Sequence, residues 1–537
     1  MASRTWLAVS LMLFIWFGYM RWLAPIPAPT ATKTATSSVD TTSKPSDGSS
    51  STKSSSGPVA IAVNSSAFNP IELGKVFPVK TSKLDLVFSS NGGKLMEAKL
   101  NNFHETIDDS TPLITPVTRE KSSLALGALF TDPSLIEFSA GDFDGKQSGK
   151  SLTFSRKNKT ASVVKEYFFQ DDSHFVETKI TISIPKEARR EWGSLLVPVG
   201  TNDTETFEGQ IPLKSWELVY YQNDEIHRIN LEKLRKDDEA VKQGHTEWVA
   251  FGNRYFSSAV ITEGNQINPD IVIKKTEGFN GAYLRFPLVF KDGQKDIQFS
   301  LKYFIGPKDH KELSQVPGLK KLIDFGTFTV FAYPLLEILR FFYKFIHNYG
   351  IAIILLTLLV RALFYPLSQK SMKSMKAMQK LQPQIAALKE KYKDDQKKLN
   401  EEQMALFKAH KVNPAGGCLP MLVQLPVFIA LYAVLGNAIE LFHAPFFGWI
   451  QDLSTKDPYY IYPVLMGVAM LAQQKMTPSA GMDPAQQKLM YFMPVIFTFM
   501  MVNLPSGLTL YIFVSTILGV AQQLALKDKK GSVPQPA

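Results

Sequence analysis

One cysteine, Cys418, stands in a chain of 537 residues. No disulfide can close within the chain, so any large exported part must rest on an ordinary apolar core. That thiol opens an apolar run, where burial raises a thiol pKa and makes it a poor nucleophile. The histidines are scattered, with no His-Glu-x-x-His and no cysteine pair, so no metal centre is expected. One near miss for a phosphate loop, GKQSGKS from Gly145 to Ser151, places three residues between its glycines. The motif needs four and a following helix, whereas SLTFSRK reads as strand, so this is a basic turn. Carboxylates are missing from all five apolar runs of the C-terminal part, about 350–368, 418–436, 459–475, 489–504 and 507–526. Without a nucleophile–base pair or a metal-ligand set there, a membrane enzyme has no support. The competing reading, a secondary transporter or channel, is weakened by the lack of a carboxylate relay and of inverted repeats. The net charge of +10 is not laid out as a basic stripe interleaved with aromatics, so direct DNA binding is not expected.

What is present changes character along the chain. After Arg4 an apolar run from Trp6 to Met20 extends through Leu23, near the roughly 20 residues a bilayer needs. No small-x-small cleavage site follows, so residues 1–24 read as an uncleaved anchor. Residues 25–57 form a linker; within 30–56, 17 of 27 positions are Ser or Thr, too polar to offset the entropy of ordering. Residues 58–320 are strand-like. In FVETKITISI, Phe175 to Ile184, apolar and polar residues alternate with the period of a half-buried strand. Asn91-Gly92-Gly93 sits between two strand-like runs as a hairpin turn. With no helical pattern between strands, an antiparallel β-sandwich is expected.

From Phe325 the period becomes helical. Glu337, Arg340, Lys344 and His347 form one narrow polar stripe on an otherwise apolar helix over 325–347, expected to lie at a membrane interface. The five runs that follow, with the N-terminal anchor, make six spans. The gap at 370–417 holds eleven Lys against five acidic residues, whereas 437–458 holds Lys456 against Glu440, Asp452 and Asp457. The positive-inside rule therefore puts the first gap, both termini and the 527–537 tail in the cytoplasm, with the β-domain on the far side. Within 370–411, Met378, Leu381, Ile385, Leu388 and Tyr392 step by three and four, the seam spacing of packed helices, which predicts a cytoplasmic helical hairpin.

GIAIILLTLLVRALFYPLS, Gly350 to Ser368, reads as a lipid-crossing helix interrupted by Arg361. An arginine at such depth costs from roughly 3 to more than 10 kcal/mol, so it implies function. Placed six residues before Leu367, it lies roughly 9–10 Å inside the cytoplasmic end of its helix. With no carboxylate in the spans, it must be solvated by water, carbonyls, hydroxyls or amides. Thr357, one turn earlier on the same face, and Gln424, Thr498, Ser515 and Thr516 are the candidate lining groups. Such a wet, positive cavity in the inner leaflet lowers the cost of moving polar or acidic segments partway across, with hydrophobic burial as the driving force.

These residues carry a resemblance. GIAIILLTLLVRALFYPLS, NPAGGCLPMLVQLPVFIALY (Asn413 to Tyr432), DPYYIYPVLMG (Asp457 to Gly467) and MPVIFTFMMVNLPSGLTLYIFVS (Met493 to Ser515) resemble the YidC/Oxa/Alb membrane-insertase family, in the family's order. The region 58–320 resembles the periplasmic domain of Gram-negative members, with WVAFGNRYFSSA, Trp248 to Ala259, as its best marker. The resemblance implies a mixed fold, in which a six-span helical membrane protein with an insertase core over 348–526 carries a periplasmic β-sandwich. It implies a chaperone and insertase of the inner membrane, without catalytic chemistry or cofactor, acting alone or with the Sec translocon. Nascent membrane proteins, Sec accessory subunits, ribosome, signal recognition particle machinery and lipids are the implied partners. Arg361 takes the position of the family's groove arginine, and Tyr511 that of a groove tyrosine, although Ile512 follows it where some relatives have a second tyrosine.

Overall fold

The computed structural model describes residues 74–108, 110–117, 126–185, 191–201, 217–231, 234–235, 239–262, 264, 267–276, 279–393, 395–410, 412, 419–476 and 484–528. The expected N-terminal anchor, the linker and most of the C-terminal tail lie outside the described residues.

Among the described residues three antiparallel sheets build the N-terminal half. The largest has nine strands, from Glu225–Asn230 at one edge to Asp144–Ser148 at the other; a second has five, and a third has three. The strand Phe175–Ser183 shows the alternation read from its sequence: Val176, Thr178, Ile180 and Ile182 are buried while Glu177 and Lys179 face out. Leu84–Ser89 and Lys94–Leu100 pair across a turn in which Gly92 and Gly93 have φ of 72° and 51°, a conformation that costs glycine little. The basic heptapeptide is a second hairpin, turning at Gly149. Ile180, Ile182 and Phe299 of the nine-stranded sheet share one buried cluster with Val197, Ile273 and Leu284 of the five-stranded sheet, so the two sheets pack face to face. The outer face of the larger sheet is also covered. Val219, Trp248, Ala250 and Phe304 pack with Leu313, Leu319 and Leu322 of the connecting segment.

Nine helices of ten residues or more follow among the described residues: α1 (Thr329–Ile346), α2 (Tyr349–Leu363), α3 (Tyr365–Lys380), α4 (Gln382–Lys391), α5 (Gln396–Ala409), α6 (Leu419–Asn437), α7 (Ile461–Met476), α8 (Pro484–Met501) and α9 (Ser506–Asp528). Among the described residues only α9, over Ser506–Ala525, is long and apolar enough on its own to cross a membrane; α2 and α3 pass the same test together but meet at a bend of 61°. Helix α1 buries Ala332, Leu335, Leu336 and Leu339 and exposes Phe331, Phe341 and Phe345. Its Arg340 pairs with Glu440 beyond α6, with Glu337 and with Asp309 at the end of the β-domain. Beside that joint, Phe442 inserts among Phe103, Tyr255 and Phe256, at ring-centroid distances of 6.3, 5.2 and 5.3 Å.

Candidate functional site around Arg361

The span expected over 350–368 is not one straight helix. Asn348 caps its start, accepting from the Ile351 amide, but α2 stops at Leu363 and α3 begins at Tyr365 with Pro366 in its first turn. Proline lacks an amide hydrogen and disfavours helical backbone in the residue before it, so the chain turns there. Arg361 therefore sits in the last turn of α2 rather than six residues inside a helix end. At that end the helix dipole favours a cation and lowers the charge's burden.

The guanidinium is held by one residue of α9. Its Nε donates to Ser515 Oγ at 3.1 Å, and its Nη2 donates to the same hydroxyl at 2.8 Å and to the Ser515 carbonyl at 2.5 Å. Gly519, one turn on along α9, lies beside this contact. A Cβ on Gly519 would lie 3.5 Å from Arg361 Nη2 and 3.0 Å from Gln473 Nε2 of α7, so glycine leaves the space in which the three groups converge. Among the described residues no carboxylate pairs with Arg361. Its charge is solvated by a hydroxyl and a carbonyl, as the absence of acids from the spans required.

The other expected lining groups behave differently. Thr357, Thr498 and Thr516 each donate their hydroxyl to the carbonyl four residues earlier, Ile353, Pro494 and Ile512, at 2.7, 2.8 and 2.7 Å. In an apolar helix that carbonyl is the nearest acceptor, so these hydroxyls are occupied as donors and retain acceptor capacity only. Thr498 lies against Gly467, where a Cβ would come within 2.3 Å of its oxygen, and so marks the α7–α8 contact. Tyr511 is buried one turn from Ser515, near Phe428 and within electrostatic reach of Arg361. The Gln424 side chain lies outside the described residues. The structure thus gathers Arg361, Ser515 and Tyr511, and adds Gly519 and Gln473, which the sequence reading did not name. For Gly519 the signal was present: Tyr511, Ser515, Gly519 and Gln522 recur along one face of α9.

In the lysine-rich segment after α2 the seam from Met378 to Tyr392 crosses a break. Helix α3 ends at Lys380 and α4 starts after Leu381 with Pro383 in its first turn, so the first arm is two helices. Leu381 and Ile385 are buried with Val412, and Met378, Leu406 and Phe407 pack on them. Leu388 is half-buried; Tyr392 caps α4, with Lys391 and Lys398 over its ring at 5.3 and 5.7 Å.

Comparison with known proteins covers nearly the whole described chain. Residues 341–532 match the family model described as 60Kd inner membrane protein, and residues 77–338 match the YidC periplasmic domain. A membrane protein insertase YidC of Geobacter metallireducens is 37% identical over 541 residues, covering 97% of this chain and 98% of the relative. Relatives with the same description in Geotalea uraniireducens and Syntrophus aciditrophicus are 40% and 38% identical, each aligned over 83% of this chain.

Proposed function

This chain belongs to the YidC family of membrane protein insertases, and we propose that it inserts and helps fold nascent membrane proteins in the inner membrane through a polar groove centred on Arg361. The groove opens to the cytoplasm and to lipid. The family is one of inner membrane proteins with a periplasmic domain, and the finer arrangement follows the charge pattern: six spans, both termini cytoplasmic, and the helical hairpin at the groove's mouth. The protein works alone or beside the Sec translocon, and receives clients from ribosomes and the signal recognition particle machinery.

The observation that carries this reading is the state of the Arg361 charge. A guanidinium bound to a hydroxyl and a carbonyl, without a carboxylate among the described residues, keeps its full positive charge available. An acidic or polar segment entering the inner leaflet meets that charge instead of hydrocarbon. Its neighbouring apolar segment then leaves sideways into lipid at roughly 25 cal/mol per Å² removed from water, so the step needs no nucleotide. Reconstitution into liposomes tests this with a client whose translocated segment carries acidic residues. Arg361→Ala should impair insertion while the protein remains folded, and Arg361→Lys should retain more activity than Ala, because the charge matters more than the fork. Equal loss in the two variants at equal protein levels contradicts the charge account.

A further inference from the structure

The polar face of α9 continues past Arg361. Gln522 lies seven residues after Ser515, roughly 10 Å further along the helix toward the hairpin. Its Oε1 accepts a hydrogen bond from Ser368 Oγ at 3.2 Å. Ser368 belongs to α3, one turn after the break at Phe364, and its own amide donates to the Phe364 carbonyl at 2.9 Å. The other end of the Gln522 amide, Nε2, is buried and has no partner among the described residues. A buried donor without an acceptor is among the costlier local features of a fold, and its position calls for an account.

In the groove proposed above, a nascent chain moving from the hairpin to Arg361 passes this point. It arrives before its helix has formed, with backbone carbonyls that apolar surroundings leave unsatisfied. We propose that Gln522 is a positioning residue at the cytoplasmic mouth of the groove, whose amide N–H meets backbone carbonyls of the entering client while Ser368 of the hairpin's first arm holds the amide in place at rest. This deepens the groove reading above and rests on it. Ser368 and Arg361 lie on either side of the α2–α3 break, and both reach α9. Displacing α3 therefore releases Gln522 without disturbing the Ser515 contact.

The test uses the full chain in liposomes, with insertion rate as the readout. Gln522→Leu, of similar size and without hydrogen bonds, should slow insertion of a client with a polar translocated segment about five-fold, the value of one lost hydrogen bond. Ser368→Ala removes only the resting partner and should keep the rate within about two-fold. In a chain with Cys418 replaced by serine, Gln522→Cys should form a disulfide with a single cysteine in a stalled client. Equal slowing by Gln522→Leu and Ser368→Ala, without that disulfide, makes the pair a mere brace and overturns the proposal. If Gln522→Leu is normal while Arg361→Ala is impaired, this inference falls and the groove stands. If both are normal, the groove reading falls with it.

Discussion

Replacing Lys165 by methionine should stabilise the β-domain at neutral pH and lose that effect in alkali. Lys165 is fully buried on the inward face of the strand Ser162–Phe169, where its Nζ donates to the Gly92 carbonyl at 2.5 Å and lies 5.0 Å from the centre of the Phe143 ring. Burial, and then the charge of neighbouring Lys94, lower its pKa from 10.5 to about 7. Lys94 itself is lowered to about 8 by burial. Between about pH 7 and 10.5 the unfolded chain therefore holds a proton that the folded one has released. Stability climbs as pH rises through that window, and below about 7 the full penalty is in place. At roughly 1.4 kcal/mol per pH interval the penalty is about 4 kcal/mol at pH 7 and about 1.5 at pH 9.5. Leaving the Gly92 carbonyl unpaired in the variant takes back about 1–2 kcal/mol. The net gain is then about 2–3 kcal/mol at pH 7 and near zero at pH 9.5. Urea unfolding of the full chain in detergent, followed by emission from the buried Trp192 and Trp248, measures it at both values. An equal gain at both, or a loss at pH 7, refutes the assignment of Lys165 as a burdened buried amine.

Two further outcomes follow from the membrane half. Ser515→Ala leaves the backbone carbonyl in place but removes the hydroxyl, so insertion in liposomes should fall by a few-fold, about one to two hydrogen bonds' worth, and less than in Arg361→Ala. Changing Leu381 and Ile385 together to Asp opens the buried hairpin cluster and should severely reduce insertion, while protease accessibility of the loops shows orientation unchanged; normal insertion would reduce the hairpin to a topology signal.

Much of this was legible because the signal was local. Alternation at Val176 to Ile182 marked a buried strand face, and the Asn91-Gly92-Gly93 turn marked the separate hairpin of Leu84–Ser89 with Lys94–Leu100. The same alternation, Val163, Lys165, Tyr167, Phe169, put Lys165 on the buried face, yet charge conceals such a position from an apolar pattern. Arg361 was legible as an anomaly and its environment as carboxylate-free. Its depth differs from the count to Leu367 because proline acts on the residues before it, and Pro366 ends α2 at Leu363. The threonines stand among the candidate lining groups, and the sequence does not show that each hydroxyl donates to its own i−4 carbonyl. Gln473 and Phe442 were beyond reach, since their contacts join segments far apart in the chain.

Crosslinking to a client in transit bears most directly on the groove. A photoreactive phenylalanine analogue is placed at Tyr511 or Thr357, beside Arg361, and as a control at Phe499, which is 81% exposed on α8. A ribosome-stalled membrane protein caught partway should crosslink strongly from Tyr511 and Thr357, and those adducts should fade when Arg361 is alanine. Adducts from Phe499 alone, with none from Tyr511 or Thr357, would place the client's path outside the Arg361 groove.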